Sequence, residues 1–162
     1  MMLPRWIGCL KMDLNSVNIK NKRASFDYEF IEREVVGIVL TGTEIKSIRH
    51  GKASIAESYC TIENGQLWIL NMDVSIYVQG SYNNHEPKRK RKLLMAKKDI
   101  LKWEAKLKTR GLTIVPIKLF LSEKGWAKLD IALAKGKQTF DKRNSIKEKD
   151  LKMEMKRSET YK

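Results

Sequence analysis

The chain has little of what catalysis, covalent bracing or membrane insertion requires. Cysteine occurs only at Cys9 and Cys60, with no C-x-x-C spacing, and histidine only at His50 and His85. Those four side chains make no credible zinc site, and a reducing cytosol is the default compartment. No apolar run approaches the roughly 18–20 residues needed to span a bilayer, and no basic amphipathic helix with a broad apolar face lies free of the expected core. The phosphate cradles G-x-G-x-x-G and G-x-x-x-x-G-K-[ST] are missing; Gly136-Lys137 lacks the second glycine and the hydroxyl residue of the latter. His85 stands beside Glu86 in a turn-rich stretch and His50 at a helix end before Gly51, without the partners of a catalytic dyad. Enzyme classes, bound cofactors, metals and membrane partners are therefore set aside. Internal repeats and low-complexity segments are absent too.

What is present is positive charge, unevenly placed. The 162 residues carry a net charge of +14, yet residues 1–87 hold 9 Lys/Arg against 10 Asp/Glu, while residues 88–162 hold 24 against 9. A basic excess confined to one half points to a polyanion, nucleic acid above all. Hydrophobic content of 42% suffices for one globular core. The opening Met1–Leu10 is apolar but too short for a signal peptide's core. Translation beginning at Met12, or a loose extension over residues 1–18, is the expectation.

Along the chain, Ile19–Ala24 reads as a basic entry segment. A strand with an irregular middle follows from Phe26 to Leu40, with a bulge or bend at Gly37. Thr41-Gly42-Thr43 offers a cap for a short helix, Glu44 to Arg49, stopped at Gly51. Ser54 to Glu63 alternates as a strand, Asn64-Gly65 is a strong hairpin signal, and Gln66 to Met72 returns. A further short strand is expected within Asp73–Val78, then a loop to Pro87. Lys88 to Lys92 are five consecutive cations leading into Leu93-Leu94-Met95. Ala96 to Arg110 is the clearest helix, with Ile100, Trp103 and Leu107 on one face and Lys98, Lys102 and Lys106 on another, facing solvent or phosphate. Leu112 to Leu121 is a long strand in which Pro116 marks an edge or a bulge. It turns at Glu123-Lys124-Gly125 into a last strand, Trp126 to Ala134. Residues from Phe140 to Lys162 carry 8 Lys/Arg and 5 Asp/Glu with few apolar groups. The pattern Ser145-Ile146-Lys147-Glu148 starts a helix there only on a partner, since so short an isolated helix is marginal in water. Short strands in two hairpins with two helices predict an α+β domain whose sheet curls into a small barrel. Four basic elements, at residues 20–23, 46–52, 88–92 and 135–143, with aromatics between them, suit an RNA platform.

Ordered segments match a known family. They are Asn21-Lys22-Arg23-Ala24; Gly37-Ile38-Val39-Leu40-Thr41-Gly42-Thr43-Glu44-Ile45-Lys46-Ser47-Ile48-Arg49; Gly51-Lys52-Ala53-Ser54; Ser58-Tyr59; Arg91-Lys92-Leu93-Leu94; Gly111-Leu112-Thr113-Ile114-Val115-Pro116; and Ala134-Lys135-Gly136-Lys137 followed by Asp141-Lys142-Arg143. From about Asn21 to Asp150 the chain resembles the SmpB, or SsrA-binding protein, family of bacterial trans-translation. The resemblance implies a mainly β fold, an OB-fold-like six-stranded antiparallel barrel with about three helices. Residues 1–18 would be an extension, 19–138 the RNA-binding barrel, and 139–162 a basic tail disordered when free and helical on the ribosome.

It further implies a cytoplasmic, non-enzymatic factor, monomeric when free, that holds the tRNA-like domain of tmRNA and enters stalled ribosomes. Its partners would be tmRNA, the small-subunit decoding centre and message channel, and elongation factor Tu through aminoacylated tmRNA. A generic barrel-type ribosomal or RNA-chaperone protein is the alternative. By motif match the tmRNA contacts would be Asn21, Lys22, Arg23, Glu44, Lys46, Lys52, Arg91, Lys92 and Leu94. The ribosome contacts would be Lys135, Gly136, Lys137, Phe140, Asp141, Lys142 and Arg143. For Glu44 and Leu94 the plain alternatives are helix capping and core packing. One departure stands out: Val35-Val36 occupies a point where many members carry an acid.

Overall fold

The structure, a computed structural model, describes residues 17–78, 80, 84–108, 111–138, 151 and 153–155. The elements in order are β1 (Asn18–Lys20), α1 (Lys22–Asp27), β2 (Tyr28–Ile38), α2 (Gly42–Arg49), β3 (Ala53–Ser54), β4 (Tyr59–Glu63), β5 (Gln66–Leu70), β6 (Asp73–Val74), β7 (Arg91–Leu94), α3 (Lys97–Leu107), β8 (Leu112–Leu121) and β9 (Ala127–Gly136). The large sheet runs β1-β8-β4-β5-β7-β2-β9, and β8 also pairs with β9. That extra pairing closes six strands, β8-β4-β5-β7-β2-β9, into an antiparallel ring. A closed ring removes exposed strand edges. The short β1 hangs on one half of β8, at Lys118–Phe120, while β4 meets the other half at Ile114. β3 and β6 form a separate two-stranded sheet.

Local chemistry explains most of the ring. Asn64 and Gly65 both adopt positive φ, 51° and 68°, as a tight hairpin turn requires. In β8 the register against β9 shifts between Pro116 and Lys118, so Ile117 is the extra residue of a bulge. Proline cannot donate to a ladder, and a bulge is one of the few places a paired strand tolerates it. The bend turns two carbonyls onto Asn21: its N–H donates to Ile117 O at 2.8 Å and its Nδ2 to Pro116 O at 3.2 Å. In β2 the bulge lies at Ile31, between Phe30 and Glu32, whereas Gly37 keeps regular register against both Leu94 and Lys128. The bulge at Ile31 is the irregular middle expected of this strand, while the bulge or bend expected at Gly37 is absent.

Three further differences concern α1, the strand expected at 54–63 and β7. Lys22–Asp27 is a helix where a basic entry segment and, from Phe26, the start of a strand were expected, because Asn21 accepts the Ala24 N–H at 3.1 Å, an N-cap that starts a turn. The expected strand at 54–63 is split, and Asp73–Val74 is all that pairs of the stretch to Val78. β7 was hidden in the charge run because its inward positions are Arg91 and Leu93 and its outward ones Lys92 and Leu94, which blurs the alternation.

The ring's interior is filled by Leu67, Ile69, Leu93, Ile114, Leu119, Leu129, Ile131 and Leu133, all at most 1% exposed. Ile48 of α2 and Ile100 and Trp103 of α3 join the same core cluster, as does Val17 just before β1. Over Ile131–Ala134, β9 is buried on both faces. Its outward Ala132 and Ala134 lie under Ala24 of α1 with Val115, and only small side chains there let the helix sit so close.

Truncating an inward side chain of β9 opens a cavity that the closed ring cannot collapse. Leu129→Ala is expected to destabilise the protein by about 2–5 kcal/mol. Leu94→Ala, at a position 55% exposed, should change stability by no more than about 0.5 kcal/mol. Urea unfolding of the two variants compares them directly.

Candidate nucleic-acid interface

The site is built around a carboxylate. Thr41 ends the β2–α2 connection, and Glu44, in the first turn of α2, reaches back to accept the Thr41 N–H at 2.7 Å. This is the reciprocal half of a capping box. Glu44 is wholly buried, so its charge needs more than one backbone partner. Arg89 donates to it twice, Nε to Oε1 at 2.7 Å and Nη2 to Oε2 at 2.6 Å, and Arg91 Nε donates to Oε1 at 2.8 Å. Arg91, also fully buried, spends its other N–H groups on the carbonyls of Met72 (2.6 Å), Arg89 (3.1 Å) and Pro87 (2.9 Å). Burial alone would push the Glu44 carboxyl up; Arg89, the Thr41 N–H and Arg91 outweigh it and hold it down at about 2. Buried His85 finishes the brace. Its Nε2–H donates to Val74 O, which can only accept, and its Nδ1 lies 3.0 Å from Thr43 Oγ1. The histidine is a tie between α2 and β6.

A second tie holds α1. Asn21, 7% exposed, caps the helix and donates through Nδ2 to Ile55 O and Pro116 O. Lys22 and Arg23 point outward and are exposed. The other end of α1 holds the exit of the barrel: Lys137 N–H donates to Asp27 O at 2.9 Å and its Nζ to Ser25 O at 3.2 Å. Gly136 still pairs in β9, opposite Tyr28, and Lys135 is exposed.

On the surface, cations lie over rings. Lys46 Nζ is 5.3 Å from the Tyr77 ring centre, and His50 stacks on the same ring at 6.1 Å. Lys90 lies over Trp68 at 4.8 Å, Arg33 over Phe30 at 4.8 Å and Lys118 over Phe120 at 5.0 Å. Rings presented with cations are the elements of an RNA-stacking surface. Of the lysine row on α3, Lys102 and Lys106 both pair with Glu32 of β2. The Lys106 bond, followed by the pull of Lys102, holds that carboxyl below its ordinary value against the cost of burial. Lys52 is exposed, Lys92 half-buried on β7, and Leu94 exposed beside Gly37.

The candidates thus fall into two groups: Asn21, Lys22 and Arg23 with Lys135–Lys137 around α1, and Glu44, Lys46, Lys52, Arg91, Lys92 and Leu94 around α2 and β7. Asn21, Glu44 and Arg91 are internal. Leu94, with core packing as its plain alternative, is outside the core. Phe140, Asp141, Lys142, Arg143 and the Ser145 pattern lie outside the described residues. Sequence reasoning passed over Arg89, although its alternation with Arg91 before two leucines was a signal. It also passed over Arg33, Trp68, Lys118 and Trp126 as surface groups. Val35 is half exposed, and the residue opposite it is Asp130, whose carboxyl burial pushes up against the pull of Arg33 and Lys118. Burial likewise drives the Cys60 thiol far above its ordinary range, which makes it inert. Among the described residues no His, Cys, Asp and Glu group could hold a metal, and no helix is long and apolar enough to cross a membrane.

A closed antiparallel barrel with buried ion pairs beneath a cationic, ring-bearing surface defines a small RNA-binding barrel. The SmpB protein family model matches residues 18–161. An SsrA-binding protein of Phocaeicola vulgatus is 60% identical over 87% of this chain and 94% of its own length. One from Agrobacterium fabrum is 47% identical over 85% and 86%. A solved structure described as "tmRNA-SmpB: a journey to the center of the bacterial ribosome" is similar with a TM-score of 0.65 at 41% identity, over 76% of this chain and 87% of that one. The chain belongs to the SmpB family.

The buried carboxylate sets a pH dependence. Its pKa is lower in the folded state, so its contribution is fully present above the ordinary value of 4.5 and is lost as pH falls towards about 2. That contribution is on the order of 3 kcal/mol. Glu44→Gln leaves Arg91 buried without its counter-charge and is expected to cost about 3–5 kcal/mol at neutral pH. Stability measured from pH 7 to pH 2 should fall less steeply for the variant than for the parent.

Proposed function

We propose that this chain is a non-enzymatic RNA-binding factor that binds the tRNA-like domain of tmRNA and delivers it to stalled ribosomes for trans-translation. The observation that carries the reading is identity of 60%, spread over 94% of the length of an SsrA-binding protein. The similar solved structure, whose description names tmRNA, SmpB and the bacterial ribosome, supports the same pair of partners. Elongation factor Tu would act through aminoacylated tmRNA in the cytoplasm.

Within this reading the barrel, residues 19–138, grips RNA, and the tail, 139–162, lies in the vacant message channel near the decoding centre. Lys22, Arg23, Lys46, Lys52 and Lys92 supply phosphate contacts, and exposed Leu94 an apolar one. Asn21, Glu44 and Arg91 act through the surface they hold in place. Lys135 and Gly136 lead into the ribosome-facing segment Phe140-Asp141-Lys142-Arg143, with Lys137 as its fixed root. A generic barrel protein would have the same charge but no preference for a tRNA-like fold.

A competition titration between tmRNA and unrelated structured RNA at one stated salt concentration separates the two, because salt alone creates apparent affinity. Preference for tmRNA is expected; equal affinities would end the reading. Replacing Lys22, Arg23, Lys46 or Lys52 by Gln should each flatten the salt dependence of binding by about one unit of slope. Truncation after Gln138 should leave tmRNA affinity nearly intact and abolish peptide tagging on stalled ribosomes. Collapse of tmRNA binding in the truncated protein would disprove the division between barrel and tail.

A further inference from the structure

Trp126 is 70% exposed, an unusual cost for so large an apolar ring. It does not stand on a loose loop. In the β8–β9 turn, Gly125 N–H donates to Ser122 O at 2.8 Å, Ser122 N–H to Trp126 O at 2.8 Å, and Trp126 N–H to Ser122 Oγ at 3.1 Å. Gly125 supplies the positive φ, 78°, that the turn needs. The ring is presented by a rigid hairpin, as a binding group should be.

Beside it is a cleft of about 280 Å³. Ile38, Leu40 and Ile45 contribute apolar surface, Trp126 contributes its ring, and Arg49 and Lys124 contribute charge. The Arg49 guanidinium lies against Gly125, its Nη2 only 3.4 Å from where a Cβ would stand. Neither Arg49 nor Lys124 is in an ion pair among the described residues, so both charges are available to a ligand. The volume lies just under the range of about 300–1,000 Å³ usual for small-molecule sites. It suits one flat ring system with two anionic neighbours.

We propose that this cleft takes a single unstacked nucleobase of bound RNA. The indole of Trp126 stacks on the base, and Arg49 and Lys124 meet the phosphates on either side of it. Apolar lining, an exposed ring and unpaired cations together fit a nucleotide better than an apolar peptide, which would leave both charges unanswered. The proposal rests on the RNA-binding reading above and assigns it a new contact.

Fluorescence of the full chain tests it, with Trp126→Phe as the reference that isolates the signal of Trp126. The probes are a single-stranded RNA hexamer and tmRNA. Both should quench the Trp126 signal, and Trp126→Ala and the double variant Arg49→Gln/Lys124→Gln should each bind tmRNA about 5- to 100-fold more weakly. Unchanged melting temperatures, expected for exposed positions, rule out misfolding as the cause. Quenching by the hexamer without preferential tmRNA binding would sink the tmRNA reading and leave the cleft assigned. Overturning results are no quenching by either RNA, full tmRNA affinity in Trp126→Ala, or concentration-dependent quenching without RNA, which would give the cleft to a second copy of the chain.

Discussion

The carboxylate of Glu44 is buried against the guanidinium groups of buried Arg91 and half-buried Arg89, and the placing of α2 and of the surface around it depends on that contact. A lone charge at that depth would be expelled or neutralised. Here two arginines and a backbone N–H surround it, while Arg91 turns its remaining donors onto the carbonyls of Met72, just before β6, and of Pro87 and Arg89, between β6 and β7. Such a cluster is weak as a source of net stability and strong as a specifier of arrangement, because any displacement strands a charge. It locks α2 against β7 and the chain that leads into it. Lys46 and Lys52 therefore project from a braced base, and Tyr77 holds its place between Lys46 and His50.

Barrel closure places the second basic group. β9 pairs along both edges, with β2 and with β8, and its outward alanines let α1 lie flat across the seam. The carbonyls at the end of α1 then bind Lys137, so Lys22 and Arg23 sit on the same short helix that holds the barrel's last residues. The candidate cations of α1 and the end of β9 thus share one small element. The lysines of α3 behave differently: two of them share Glu32, and the row is partly an internal bond between helix and strand.

Much of this was legible from local signals. Asn64-Gly65, the alternation of β9, the stripe of Ile100, Trp103 and Leu107, and Pro116 as the mark of an edge or a bulge each follow from the conformational needs of few residues. The irregular middle of β2 was legible and is the bulge at Ile31, whereas Gly37, a local signal for a second bulge or bend, keeps regular register because both its neighbouring strands pair through it. α1 is six residues long, below what periodicity reveals, and its start depends on Asn21 being held by Ile55 and Pro116, distant in the chain. Arg89 and Arg91 read as two members of a solvated charge run, yet one of them is wholly buried.

By itself the sequence determined the class of fold, the asymmetry of charge and, through its ordered motifs, the family. These depend on composition, on spacing within single elements and on the order of segments, all of which a linear string carries. Tertiary structure alone decided which charges are surface and which are core. It turned Asn21, Glu44 and Arg91 inward and left Leu94 and Trp126 outside. Burial of a charge is affordable only when partners from distant segments converge on it, and convergence across 45 or more residues, as from Glu44 to Arg89 and Arg91, is not written in any local pattern.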